Sequence, residues 1–322
     1  MNPKEIRIVF MGTPEFAVPS LRALVGAGYN VIAVVTAPDK PAGRGQRLHK
    51  SDVKVAAEEL GLPVLQPVKL RNPAFIETLQ ALKPDLGIVI AFRMLPEIVW
   101  AMPRLGTFNL HASLLPQYRG AAPINWALIN GERRTGVTTF LLNHEIDQGA
   151  ILEQAETPID PADNAGTLYE RLMRIGAELV TQTVDRIAAG DIRPVEQPQT
   201  DEATLKPAPK LFKENCRIDW AWEGERIVNF VRGLAPYPAA WTELWREGAQ
   251  TPETAKLFAV RFEAAAHGEA CGTLQSDGRT MIRIACADGW IGVDELQLAG
   301  KKRLPVRELL LGWRDVLQYR FS

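Results

Sequence analysis

Short apolar runs alternate with stretches of helical spacing through the first half of the chain. Ile6 to Met11, Val31 to Val35, the residues around Val64, Asp85 to Ala91 and Thr107 to Leu110 read as buried strands. Between them, Phe16, Val18, Leu21, Leu24 and Val25 recur at roughly helical spacing, and Gly26 and Gly28 close that helix. Asp52 to Leu60, Pro73 to Leu82 and Leu95 to Met102 read as further helices, the first stopped by Gly61-Leu62-Pro63. This alternation predicts the α/β class: a mostly parallel sheet with helices on both faces.

The pattern continues with a short helix over Ala122 to Asn130, ended by Gly131, and strands over Val137 to Leu142 and Ala150 to Glu156. Thr167 to Ala189 predicts a long amphipathic helix, with Leu168, Leu172, Ile175, Leu179, Val180, Val184 and Ile187 on or near a core-facing side and Gly190 closing it. A first domain over 1–190 follows from this. Residues 191–205 read as a linker, since Pro194, Pro198, Pro207 and Pro209 crowd this region and large apolar residues are few. The second domain, 206–322, has one helix near Glu223 to Val231. Short β-type runs follow: Ala239 to Trp245, Leu257 to Phe262, Gly272 to Leu274, Thr280 to Cys286 and Gly289 to Gln297. Short strands with glycine turns predict a small barrel. Trp220, Trp222, Trp241 and Trp245 read as core rather than base-stacking platforms.

Composition adds bounds. A chain of 322 residues, 46% hydrophobic and 23% charged, is ordinary for a soluble globular enzyme with two cores. A formal net charge of −1 gives no global attraction to nucleic acid, so contact with a polyanion must use local patches. Cys216, Cys271 and Cys286 are odd in number, widely spaced and free of any C-x-x-C pattern, which reads as reduced thiols in a cytoplasmic protein. The amino terminus runs straight into a strand pattern, and no run approaches the ~20 apolar residues of a membrane span. The expectation is a monomer with no membrane contact.

The first strand-turn-helix suits nucleotide-binding folds, but only Gly12 sits in the turn where a dinucleotide fingerprint wants three glycines. This argues against an NAD or FAD enzyme. Thr36 to Lys54 is long for a strand-to-helix connection and reads as mostly loop. It carries Lys40, Arg44, Arg47, Lys50 and Lys54 against Asp39 and Asp52, and is either a solvated surface loop or a basic finger for phosphates.

Candidate chemistry gathers in two polar clusters. Asn109 and His111 alternate on the strand from Thr107, so they leave the same face about 7 Å apart, at the carboxyl edge where open parallel sheets bind ligands. The second cluster, Asn143-His144-Glu145-Ile146-Asp147-Gln148-Gly149, follows the run from Val137, and Asp147 is the carboxylate expected beside His111. Each has a plainer reading: His111 as a structural histidine, Asp147 as a cap or turn residue. Ser113 to Pro116 either line a flat ligand, with apolar leucines and exposed backbone amides, or plug the core. Arg119 either binds a phosphate or carboxylate or pairs with a surface acid. Ser113 lacks the G-x-S-x-G elbow of a nucleophile. A metal site from His111, His144 and Asp147 has suitable ligand types, but no His pair sits at i, i+4, and none is expected.

Asn109-Leu110-His111-Ala112-Ser113-Leu114-Leu115-Pro116, followed by Arg119-Gly120-Ala121-Ala122-Pro123, resembles the folate-dependent formyltransferases. Ile146-Asp147-Gln148-Gly149 resembles the family's second motif at the family's spacing. Met11 to Phe16, Pro38 to Gly45, Pro236-Tyr237-Pro238 and Leu298 to Lys302 narrow the likeness to the branch acting on aminoacylated initiator tRNA. Phe92-Arg93-Met94 departs from the tyrosine-glycine pair frequent in the family after that strand.

The resemblance implies a Rossmann-like formyltransferase domain followed by an OB-like β-barrel. It implies 10-formyltetrahydrofolate as formyl donor, no metal, and charged initiator tRNA as partner. It casts Asn109, His111 and Asp147 as the catalytic set and Ser113, Leu114, Leu115 and Pro116 as donor contacts. Lys40, Arg44 and Arg47 of the basic loop then meet the acceptor end. Lys301, Lys302 and Arg303 form the compact basic cluster of the second domain, which is either a solvated face or, with Lys206, Lys210 and Lys213 near the linker, a track for RNA backbone. Three rival activities stay open: formyl transfer to a small nucleotide or sugar amine, formyl-folate hydrolysis, and folate or RNA binding without turnover.

Overall fold

The first apolar run forms β1 (Ile8–Gly12) in the computed structural model, which describes residues 1–42, 47–198 and 204–322. The next elements are α1 (Val18–Gly26), β2 (Val31–Val35), β3 (Lys40–Ala42), β4 (Arg47–His49) and α2 (Asp52–Glu59). β5 (Val64–Leu65), α3 (Pro73–Ala81), β6 (Leu86–Ile90), α4 (Glu97–Trp100) and β7 (Thr107–His111) complete the parallel part. Then come α5 (Pro123–Ile129), β8 (Arg134–Leu141), β9 (Ile151–Pro158) and α6 (Ala165–Ala189). The sheet runs β5-β2-β1-β6-β7-β8-β9. Its first five strands pair in parallel, and β8 joins β7 antiparallel. β1 and β6 are buried along their whole length, as expected of strands covered on both faces.

Local chemistry sets the helix starts. The Ser51 hydroxyl accepts the Lys54 amide at 3.1 Å ahead of α2, and Asn72 Oδ1 accepts the Ala74 amide at 3.0 Å ahead of α3, which has Pro73 in its first turn. Strand order reverses between β1, whose next strand lies on one side, and β6 and β7 on the other. This switch point opens a crevice at the strands' carboxyl ends.

Three local expectations need correction. The stretch over 36–54 is not all loop: β3 and β4 pair antiparallel, Lys40 opposite His49 and Pro41 opposite Leu48. These three-residue strands have no apolar alternation, and Leu48 points outward at 70% exposure, so the pattern does not show them. α4 is shorter than the spacing over 95–102 suggests, starting after Pro96 and ending before Pro103. β8 begins three residues early because its polar Arg134-Thr135 start still pairs.

The described residues divide by packing into two units. One holds 1–120, 134–157 and 169–207, the other 121–133, 158–168 and 208–322. The second unit contains α7 (Gly224–Leu234), β10 (Ala240–Arg246), β11 (Glu253–Ala264), β12 (Leu274–Ser276), β13 (Ile282–Cys286) and β14 (Gly289–Leu298). It ends with β15 (Leu304–Pro305), α8 (Val306–Leu310) and β16 (Tyr319–Phe321), which the sequence pattern does not indicate. The order β12-β13-β14-β11-β10-β16, with β15 on β14, makes a nearly closed antiparallel barrel. Its core includes Trp220, Ile227, Phe230, Leu257, Ile284 and Ile291. Trp220 is fully in this core, with its indole N–H on Thr242 Oγ1 at 3.0 Å, whereas Trp222, Trp241 and Trp245 are half-buried. α5 packs on α7 in this unit, where Asn125 Nδ2 donates to the Gly233 carbonyl at 2.7 Å.

Candidate active site

β7 ends with His111, which is 6% exposed. Its Nε2 lies 2.9 Å from the Tyr118 carbonyl. A carbonyl only accepts, so Nε2 carries a hydrogen there and Nδ1 is the free ring position. Nδ1 faces Asp147 Oδ2 at 3.8 Å. That distance is a charge contact when the ring is protonated, too long for a direct hydrogen bond. Asn109 lies two residues back on β7, on the same face as His111 and half-buried. The residues cast as catalytic therefore sit on one sheet edge and the loop beside it.

Asp147 is held from both ends. Its Oδ2 accepts the Gly120 amide at 2.9 Å, and its carbonyl accepts Gln197 Nε2 at 2.9 Å. Its backbone is left-handed, φ 56°, a conformation Asp tolerates better than most residues. The same Gln197 nitrogen donates to the Gly149 carbonyl at 2.9 Å. Gly149 has no room for a side chain, since a Cβ there would run into the Leu141 carbonyl oxygen.

The loop after β7 is fixed from below by Thr138 on β8. Its hydroxyl donates to the Ser113 carbonyl at 2.7 Å and accepts the Leu115 amide at 3.2 Å and Gln154 Nε2 at 2.9 Å. Gln154 Nε2 also reaches the Leu115 carbonyl at 3.0 Å, and Ser113 Oγ donates to the Gln117 carbonyl at 2.7 Å. The expectation of exposed amides along Ser113 to Pro116 is therefore not met at Leu115. Ser113 and Leu115 are buried, and only Leu114 and Pro116 keep partial exposure. Arg119 is bonded to an amide rather than to a surface acid: its Nε and Nη2 both donate to Gln197 Oε1, at 3.1 and 2.6 Å.

His144 turns away from Asp147. Its ring stacks edge-on against Trp100, centroids 5.4 Å apart, and Nε2 lies 3.6 Å from Glu97 Oε1. Among the described residues no three His, Cys, Asp or Glu side chains gather as a metal-holding group. No helix among them is long and apolar enough to cross a membrane.

The basic residues are spread out. Lys40 is exposed and helps line a cavity of about 580 Å³ with Thr13, Pro14, Pro38, Val68, Ala91 and Arg93, by the carboxyl ends of β1, β2 and β6. Arg93 closes one side by donating to the carbonyls of Pro67 and, at 2.8 Å, Val68. Lys54 is committed to Asp39 at 2.6 Å and Lys50 to Glu58 at 2.6 Å. Hydrogen bonds from Lys54 and then Gln66 hold the Asp39 carboxyl below the usual carboxylate range. Arg44 and the side chain of Arg47 lie outside the described residues. Lys206 is exposed, and its backbone is stitched to the site loop: its amide donates to Gln117 Oε1 at 2.8 Å and its carbonyl accepts the Tyr118 amide at 2.7 Å. Lys210 is exposed and lies 5.4 Å over the Phe212 ring. Lys301 and Lys302 are exposed in the turn between β14 and β15. Sequence reasoning missed Tyr118, Thr138, Gln154 and Gln197. Tyr118 acts here through a backbone carbonyl, and Gln197 lies in a Pro- and Gln-rich stretch with no pattern of its own.

A protein-family model described as formyl transferase matches residues 6–184, and one described as formyl transferase, C-terminal domain, matches 210–314. The chain belongs to the formyl transferase family. A methionyl-tRNA formyltransferase of Parabacteroides distasonis is 54% identical to this formyl transferase over 322 residues, 99% of each chain. The Bacteroides thetaiotaomicron protein of the same name is 53% identical over 98% of each. Among solved structures, the N-formyltransferase of Helicobacter canadensis in complex with folinic acid and dTDP-3-aminofucose superposes with a TM-score of 0.65 at 19% identity, covering 89% of this chain and 98% of that one. HypX from Aquifex aeolicus in complex with tetrahydrofolic acid gives a TM-score of 0.60 at 20% identity, with 96% of this chain matched to 47% of that one. These two likenesses show the shared fold.

Proposed function

We propose that this formyl transferase moves the formyl group of 10-formyltetrahydrofolate to the α-amine of methionine esterified to initiator tRNA. The observation that carries the chemistry is the His111–Asp147 pair at the end of β7, with Nε2 committed to Tyr118 and Nδ1 left for the reaction. The near-complete likeness to proteins named methionyl-tRNA formyltransferase supports the acceptor.

In this reading the neutral amine attacks the formyl carbon, and the carbonyl electron pair moves to oxygen. Asn109 gives that oxygen an amide N–H and protonated His111 gives it Nδ1–H; donors of this kind contribute about 3 kcal/mol each in known enzymes. Asp147 balances the imidazolium charge and accepts, directly or through a water, the proton lost by the attacking nitrogen. The oxyanion's pair then re-forms the carbonyl as the bond from formyl carbon to the folate nitrogen breaks, and that nitrogen takes up the proton Asp147 accepted, passed on directly or through a water. Ser113 and Leu115 shape the donor wall from beneath, while Leu114 and Pro116 touch the donor. Lys40, Arg44, Arg47, Lys206, Lys210, Lys301 and Lys302 meet tRNA phosphates.

The test is formyl transfer assayed with charged initiator tRNA, with a free amine and with water alone. Transfer is expected only to the charged tRNA. His111→Ala or Asp147→Asn is expected to lower kcat by roughly 10²–10⁴ with folding intact. Variants within tenfold of wild type would remove the proposed roles. Equal transfer to the free amine would move the reading to a small-amine enzyme. Lys40→Ala is expected to weaken tRNA use and flatten its dependence on salt by about 0.7–0.9 in the log–log slope per lost phosphate contact.

A further inference from the structure

Tyr118, Arg119 and Gly120 are consecutive, and each is bonded to a different part of the site. Tyr118 supplies the carbonyl that fixes the His111 ring. Gly120 supplies the amide that fixes the Asp147 carboxylate. Arg119 sends both Nε and Nη2 to Gln197 Oε1. Gln197 returns the connection by donating to the Asp147 and Gly149 carbonyls, each at 2.9 Å. The bonds close a circuit: Asp147 main chain, Gln197, Arg119, Gly120, Asp147 carboxylate. One side-chain amide thus has both its hydrogens and its oxygen engaged between two loops. The residues carrying Gln197 are themselves tied down two positions earlier, where Val195 and Ile151 exchange both backbone hydrogen bonds at 2.8 Å.

We propose that Gln197 is a positioning residue for the formyl transfer: through Asp147, Gly149 and Arg119 it holds the Asp147 carboxylate at its working place beside His111. The inference rests on the reading of Asp147 and His111 given above. Its chemistry is specific. The amide nitrogen must donate to two carbonyls while the amide oxygen accepts a guanidinium, and only an amide of this length does both. A glutamate in its place keeps the Arg119 bond and sets a carboxylate oxygen against the Asp147 and Gly149 carbonyls. A methionine keeps the volume and loses both sides. Small misplacements of a reacting group cost rate rather than substrate affinity.

The experiment uses the full chain with Gln197→Met, Gln197→Glu, Asp147→Asn and the Gln197→Met/Asp147→Asn double variant. Steady-state kinetics use 10-formyltetrahydrofolate and charged initiator tRNA, with Tm followed in parallel. Both Gln197 variants are expected to lose roughly 10- to 100-fold in kcat, with KM for both substrates within about twofold. The double variant is expected to match Asp147→Asn alone, because the glutamine acts through the aspartate. A scaffold role would make the losses add, and would overturn the proposal, as would a kcat loss that only follows a lost folded fraction. So would an active Gln197→Met beside an inactive Asp147→Asn, or a raised KM with kcat intact. An active Asp147→Asn instead removes the reading of the site itself, which separates the two failures.

Discussion

Thr138 lies under the loop that follows β7, and its hydroxyl is fully engaged by Ser113, Leu115 and Gln154. Thr138→Val keeps the shape and strands a buried amide and a buried carbonyl. The expected cost is about 1–3 kcal/mol, read as a lower urea midpoint with an unchanged slope. Gly149→Ala acts differently, because the Leu141 carbonyl occupies the place of the new methyl. It is expected to displace the Asp147 loop and reduce kcat about 10²-fold or more; wild-type kcat in this variant would contradict the tight approach. The residues readable from sequence were those whose type is chemically scarce: an amide and an imidazole two apart on a strand, and a carboxylate in a second polar loop. Tyr118 was unreadable because its contribution to His111 is a backbone carbonyl, which any residue supplies.

At the scale of elements, strands β1, β2, β6 and β7 were legible because burial on both faces demands continuous apolar runs. The β3–β4 hairpin was not, because no core dictates its side chains. Its base is set instead by polar bonds, where Asp39 accepts from Lys54 and Gln66 and Gln66 also donates to the Ala37 carbonyl. The Asp39 carboxyl is depressed in the folded chain, first by the Lys54 bond and then by the Gln66 bond. A depressed carboxyl stabilises above its unfolded pKa and loses that contribution as pH falls through the folded value. Protection of the amides at the base of the hairpin, taken relative to their intrinsic exchange at each pH, is therefore expected to hold at neutral pH and to fall only below about pH 4. Protection already lost at pH 6 would show that the clamp does not govern the hairpin. Lys54→Met is expected to quicken exchange there at neutral pH.

For the whole molecule, the spacing of apolar residues predicted an α/β half and a small barrel after it. It did not give the partners of α5 or of residues 158–168, since an amphipathic pattern states that a face is buried, not against what. The three thiols all belong to the second unit: Cys216 and Cys286 are buried, Cys271 is exposed, and burial pushes the first two thiols up. Native alkylation followed by mass spectrometry is expected to label Cys271 alone, and denaturation to release the others. The second unit also draws on three separate lengths of polypeptide, with α5 bonded to α7 through Asn125 and Gly233. Scission between 198 and 204 would therefore not liberate the barrel. The two pieces are expected to co-elute on a sizing column in buffer and to part only in denaturant, like a rope spliced rather than knotted.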